Sequence, residues 1–334
     1  MSAQFAAADP TVVSIPQFEG NTRLKRIRMA GQSKTTDGQL MSFQLPRTGF
    51  LRGIALAIRM TVAGSLSAPN AAGFSSIVKQ VRLVQNGGIA IIDLSGPGYH
   101  YGLREYMELG QDTGSYTTGR TAVTATTTTL DMYLPVAPNL RDPVGLLNLQ
   151  TEQNTYTLTV QFELDANVAA GATVTGTVTP MLEIFTVPPD PAMYPPDDVV
   201  HRILEESITY TGATQQTYYP LRGDIYLQLF HLIGGDAVAA TDKFSDAQLR
   251  FNQSDYVQDA LAAHLDILRA REGLTARRAG LVVYDFLASA GLGNYDRLRD
   301  VVDSHRVTDF ASLWTQNATP VTVRTIRRML TRIG

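Results

Sequence analysis

Apolar residues recur at every second position through much of this chain. Ile54, Leu56, Ile58, Met60 and Val62 share one face of an extended segment, with Ala55, Ala57, Arg59 and Thr61 on the other. That period belongs to a half-buried strand, not a helix. Tyr156, Leu158, Val160, Phe162 and Leu164 alternate as strictly with Thr155, Thr157, Thr159, Gln161, Glu163 and Asp165. Further strands are predicted over 81–85, 174–187, Ile225–Ile233, 281–287 and 321–333, many of them rich in β-branched residues. Two helices are predicted as inserts. Ser254 caps one, with Val257, Leu261, Leu265 and Leu268 on one face and Gly273 closing it; a shorter one covers 101–109, after the breaker Gly96-Pro97-Gly98.

The chain reads as all-β and falls into two parts. Between Val187 and Asp198 stand five prolines, which cannot donate to a ladder and favour an extended connection. They divide 334 residues into an N-terminal arm (1–20), a first sandwich (21–187), a Pro-rich linker (188–199) and a second sandwich (200–334). Each sandwich is near the size that eight short strands require. The halves also echo one another. Leu51-Arg52-Gly53 recurs as Leu221-Arg222-Gly223, Gly64 as Gly234 and Phe74-Ser75 as Phe244-Ser245; two residues out of step, Val81–Gln85 faces Leu249–Gln253. One shared tripeptide is expected by chance, so the weight lies in the ordered series, which predicts duplication of one fold.

Charged residues make up 18% of the chain, leaner than the roughly 25% of an average globular protein, which suits burial against neighbours. The net charge of −3 excludes a global basic field for gripping phosphates, so no sequence-specific nucleic-acid binding is expected. The absence of Cys removes disulfides, thiolate metal sites and Cys nucleophiles together. His100, His201, His231, His264 and His305 are scattered, with no pair at metal-ligand spacing. Gly31-Gln32-Ser33-Lys34 lacks the second glycine of a nucleophile elbow, and Gly291-Leu292-Gly293 has Asp296 where a dinucleotide fingerprint needs glycine. No catalytic, metal or cofactor residue is nominated, and the chain reads as a structural protein, not an enzyme.

Two clusters remain as candidate contacts. Arg23, Lys25, Arg26 and Arg28 alternate in direction along a strand, which makes them inner-face or inter-subunit contacts more than a phosphate comb. Arg324, Arg327, Arg328 and Arg332 close the chain and are read as inter-subunit or solvated. The arm carries Phe5, Val12, Val13, Ile15 and Phe18 without a sustained period and is interrupted by Pro10 and Pro16. It is expected to order on assembly, against a neighbour or an internal membrane.

In order and character the chain resembles the double jelly-roll major capsid proteins of tailless lipid-containing bacteriophages and related DNA viruses. The resemblance runs through Ser76-Ile77-Val78-Lys79 to Gly87-Gly88, Tyr133-Leu134-Pro135-Val136, Gly145-Leu146-Leu147-Asn148-Leu149-Gln150 and the strand 156–162. In the second half it rests on Tyr284-Asp285-Phe286, Gly293-Asn294 and the closing strand. It implies two tandem eight-stranded jelly rolls, a homotrimer that tiles an icosahedral shell as a pseudo-hexamer, and penton, minor capsid and neighbouring capsomer proteins as partners. The expected location is the virion capsid, assembled in the host cytoplasm, with membrane lipids a further contact of the arm. Other readings are a minor capsid or spike protein, or a carbohydrate-binding two-domain sandwich. The last would want clustered exposed aromatics, whereas Trp314 sits with Phe310 and Leu313 in a segment that reads as core.

Overall fold

The computed structural model describes residues 18, 20–95, 121–138, 143–151, 153–195, 198–212, 214–234, 241–252, 255–271, 279–286 and 301–332, with 255–258 and 268–271 described by backbone alone. The first half contributes β1 (Leu24–Arg28), β2 (Gln32–Lys34), β3 (Leu40–Gln44), β4 (Phe50–Ala63), β5 (Val78–Gln85), β6 (Ile89–Ser95), β7 (Thr126–Pro135), β8 (Leu147–Asn148), β9 (Tyr156–Phe162), a short helix α1 (Asp165–Val168) and β10 (Thr173–Phe185). One sheet runs β1-β10-β4-β7 and faces a second running β3-β9-β5-β6. Between them the inward parities of β4 and β9 interdigitate: Ile54, Leu56, Ile58, Met60 and Val62 meet Leu158, Val160 and Phe162 in one core. The strict alternation in the sequence is thus the trace of sheets with one buried face.

The second half contributes β11 (Val199–Tyr210), β12 (Gln215–Tyr218), β13 (Ile225–Ile233), β14 (Phe244–Phe251), β15 (Asp255–Leu261), α2 (Ala262–Arg271), β16 (Leu281–Asp285), β17 (Val302–Asp303), β18 (Phe310–Gln316) and β19 (Val321–Arg332). Its strand orders are β11-β19-β13-β16 and β12-β18-β14-β15. Taken in chain order, these are the connections of the first half repeated, and each half is a jelly roll. Even the accessory pairing recurs: β8 pairs with the start of β4 and β17 with the start of β13.

The irregularities recur more faithfully than the side chains. Lys79 and Ser245 are the extra residues where β5 meets β9 and β14 meets β18, and Ile91 and Val257 bulge where β5 meets β6 and β14 meets β15. Asn86 and Asn252 end the paired strands at φ 51° and 50°. Their side-chain oxygens accept the N–H of Thr155 and of Thr308, which fixes the start of the partner strand in each half, β9 and β18. Asparagine tolerates this left-handed backbone because its short polar chain bonds locally. Arg52 and Leu227 bulge alike, and their carbonyls accept from Val136 and Phe286.

These matches correct the spacing read from the sequence. Gly64 and Gly234 do correspond, both following a strand at positive φ. By contrast Leu51-Arg52-Gly53 lies inside β4 while Leu221-Arg222-Gly223 precedes β13, and Phe74 sits in a 3-10 turn while Phe244 begins a strand. Helix prediction also needs correcting. Asp255–Leu261 is a strand laddered on β14, and helix starts only at Ala262. Pairing with a neighbour satisfies this segment's backbone, which outweighs a helical spacing of four apolar residues. The helix predicted over 101–109 lies outside the described residues.

One break in the first sheet has a local cause. β1 and β2 both pair with β10, separated by Met29–Gly31 where Pro180 stands opposite. A strand residue turns its N–H and C=O to the same neighbour, and Pro180 has only the carbonyl, which accepts from Met29 N at 2.9 Å.

Candidate functional site: the seam between the sandwiches

The two sandwiches are not separate bodies on a string. β11, the first strand of the second jelly roll, pairs in parallel with β6, the last strand of a first-half sheet, through Ile203 with Ile92 and Leu204 with Asp93. A nine-stranded sheet therefore runs through both halves. One face of its second part closes the first core, where Val200, Ile203, Phe230 and Ile326 join the residues of β4 and β9. The other face carries Tyr226, Leu229, Ile233, Val321, Val323 and Met329 into the second core. This explains why Ile225–Ile233 is apolar on both parities, interrupted only by Gln228 and His231: burial on both faces removes the alternation.

Polar groups are built into this doubly buried layer, where each must find a partner. Arg328 on β19 is 1% exposed, and His201 and Gln228 on the flanking strands are 0% exposed. His201 Nδ1 lies 3.0 Å from Val136 O of the first sandwich, and a carbonyl can only accept, so Nδ1 carries the proton. Nε2 is then free to accept from Arg328 Nε at 3.4 Å, while Arg328 Nη1 donates to Gln228 Oε1. The imidazole thus links the two halves as a neutral ring. Burial, reinforced by the adjacent Arg328 guanidinium, holds its pKa well below the ordinary histidine value.

A second junction sits toward the other end of the parallel pair. Ser95 donates through its N–H and Oγ to the two Glu205 oxygens at 2.8 and 2.7 Å, and Arg324 Nη1 reaches Glu205 Oε1 at 3.1 Å. Burial raises the Glu205 carboxyl above its usual range, with Arg324 and Ser95 pulling it back part of the way. Between the two junctions Arg202 Nε donates to Ala90 O at 2.9 Å. A cavity of about 40 Å³ bounded by Gln85, Asn148, Thr151, Tyr156 and Val200 lies beside this seam, room for roughly one water molecule.

These residues were missed in the sequence. Arg324, Arg327 and Arg328 read there as inter-subunit or solvated; in the structure they are half-buried or buried inside the chain, Arg327 beside Glu206 at 3.8 Å, and only Arg332 is exposed. The signal that could have found them is position: β19 carries apolar residues on both parities, Val321, Val323 and Met329 on one and Ile326 and Leu330 on the other, so both of its faces are candidates for burial. Of the N-terminal cluster, Lys25, Arg26 and Arg28 lie exposed on the edge strand β1 and Arg23, also exposed, just before it, with Arg26 Nε bonded to Glu183 at 3.0 Å. In the arm, Phe5, Val12, Val13 and Ile15 lie outside the described residues. Phe18, also assigned to docking on a neighbour, is instead 3% exposed and packed edge-on against Phe50 and Phe185 of its own chain. Among the described residues no group of three or more His, Asp or Glu is placed to hold a metal ion.

Two fully buried neutral histidines predict an acid dependence. His231 bonds Thr325 Oγ1 through Nδ1 at 2.9 Å, and burial pushes its pKa down to about 3. With folded values below the roughly 6.5 of an unfolded chain, the unfolded state takes up protons first. Stability from His201 and His231 is therefore complete above pH 6.5 and falls below it, by about 1 kcal/mol per pH unit for each. Glu205, shifted upward, opposes this weakly in the window above its ordinary value. Thermal midpoints taken from pH 7 to pH 4.5 should decline, and a His231→Asn chain should show a shallower slope than the unsubstituted one.

No family model matches the sequence, and no curated protein matches it either. Solved structures do. The major capsid protein of Sulfolobus turreted icosahedral virus superposes with a TM-score of 0.72 at 14% identity, over 93% of this chain and 97% of that one. The major capsid protein P2 of bacteriophage PM2 gives 0.55 at 10% identity, covering 93% and 98%. The Faustovirus major capsid protein gives 0.58 at 10%, covering 94% and 91%. Over more than nine-tenths of its length the chain has the double jelly-roll fold of these proteins.

Proposed function

We propose that the chain is the major capsid protein of an icosahedral virus, a structural protein and not a catalyst, that associates as a homotrimer. What carries the reading is that one chain holds two sandwiches of the same strand order, locked side by side by a shared sheet and a buried polar seam. Three such chains present six similar blocks, which tile as a pseudo-hexamer. The likeness to capsid proteins over more than nine-tenths of each chain supports the same reading. The units of assembly are the arm (1–20), the first jelly roll (21–187), the linker (188–199) and the second jelly roll (200–334). Neighbouring capsomers, penton and minor capsid proteins are the partners, in a virion assembled in the host cytoplasm. The arm's Phe5, Val12, Val13 and Ile15 serve contacts beyond the sandwich, with a neighbour or membrane lipids.

The test is sedimentation of the purified protein with negative-stain imaging. The expected result is a species of three times the 36.4 kDa chain mass with a flat, near-hexagonal outline. A monomer that persists at micromolar concentration and every salt would overturn the reading.

A further inference from the structure

The repeated topology places the contact by which one chain meets the next. Within the chain, the two sandwiches join through one particular pair of edges, β6 of the first and β11 of the second. The strand that occupies the place of β6 in the second sandwich is β15, and the strand that occupies the place of β11 in the first is β1. Both end their sheets: β15 lies outermost beside β14, and β1 outermost beside β10. Each half of the internal joint therefore has an equivalent edge to which nothing in the described chain is paired. We propose that β15 of one copy docks in parallel on β1 of the next, and that this head-to-tail contact closes the trimer. The proposal rests on the trimeric reading above and adds to it a surface and a register.

The register follows from the bulges. Arg26 faces Glu183 on β10 beside the Arg52 bulge, as Ile203 faces Arg328 on β19 beside the Leu227 bulge. Likewise Asp259 pairs with Gln248 as Asp93 pairs with Arg82, each two residues beyond its bulge. The internal pair Leu204 with Asp93 thus translates into Ile27 of one copy against Asp259 of the next. Charge agrees with this register. β1 presents Lys25, Arg26 and Arg28, all exposed, with Arg23 just before it; Lys25 shares the face of Ile27 and would stand one pleat from the exposed carboxylate of Asp259, while Arg26 and Arg28 lie on the other face. Leu24 and Leu261, 37% and 53% exposed, lie at the two edges and would gain cover. A head-to-tail contact between different edges propagates into a ring when the rotation closes. If the step between sandwiches within a chain recurs between chains, the β1 and β15 edges are all consumed.

The chain contains no cysteine, so a pair can be introduced cleanly. Ile27→Cys with Asp259→Cys in one full-length chain should, on mild oxidation, give covalent dimers and trimers on a denaturing gel, reversed by reductant and absent from either single variant. Separately, Lys25→Glu with Arg28→Glu should abolish the trimer in sedimentation while circular dichroism of the folded chain stays unchanged. Adding Asp259→Lys to that chain should restore the trimer. If the unsubstituted chain is a monomer, the trimeric reading fails and this contact with it. A trimer that neither cross-links nor responds to charge reversal overturns the contact alone and leaves the trimer standing.

Discussion

Aspartate placed at Leu158 or Val160 is expected to unfold the first sandwich, while aspartate at Thr157 or Thr159 leaves it folded. The four positions are consecutive on β9, which is paired on both sides, with β3 and β5, so all have ladder hydrogen bonds to neighbouring strands. They differ only in direction: Leu158 and Val160 are 0% exposed in the main core, and the threonines are half-buried on the opposite face. A carboxylate inside the core loses its hydration with no cation to meet it, and the leucine's packing is lost as well. Together these cost several kcal/mol, a large share of the roughly 5–15 kcal/mol that holds a domain together. At Thr157 the carboxylate keeps part of its water, and the cost should stay near 1 kcal/mol. Soluble yield and denaturant midpoints of the four variants check this directly. Equal losses at both parities would show that the strand is not buried on one side.

Arg328→Ala should cost almost as much, about 3–5 kcal/mol, although its side chain is the kind usually found on surfaces. The guanidinium is enclosed, and its removal takes the donors from His201 Nε2 and Gln228 Oε1, both fully buried. It also leaves a cavity in a layer packed on both faces. Arg328→Met, which keeps most of the volume, should recover the packing share and leave roughly 1–3 kcal/mol for the two unsatisfied acceptors. Arg332→Ala, four residues on and exposed, should change stability by less than about 0.5 kcal/mol. Because the arginine holds the two halves together, Arg328→Ala should also loosen their mutual orientation. Hydrogen exchange would show it as faster exchange in β6 and β11 than in the centre of β9. An Arg328→Ala chain as stable as the original would mean that the seam is not a structural joint.

The strands with one buried face were legible in the sequence because their cause is local. Alternation along β4 and β9 records which side of each residue meets the core, and no knowledge of the partner strand is needed to see it. The same holds for the all-β character, for the proline stretch between the halves and for the existence of a repeat. The register of that repeat was not legible, since what recurs is bulges and turns, such as Asn86 with Asn252, which constrain backbone shape and leave most side chains free. Asp255–Leu261 was misread for a related reason: a strand edge is chosen by the neighbour that satisfies its backbone, and β14 is not visible in those seven residues. The seam lay furthest out of reach. Ser95 and Glu205 are 110 residues apart, and only the folded sheet brings them together. The arginines of β19 looked like a surface cluster until a second sandwich covered the other face of their strand. Periodicity reports whether a residue is buried by its own sheet; whether a second layer buries the remaining face depends on which distant edges pair, and that is decided by the tertiary structure alone.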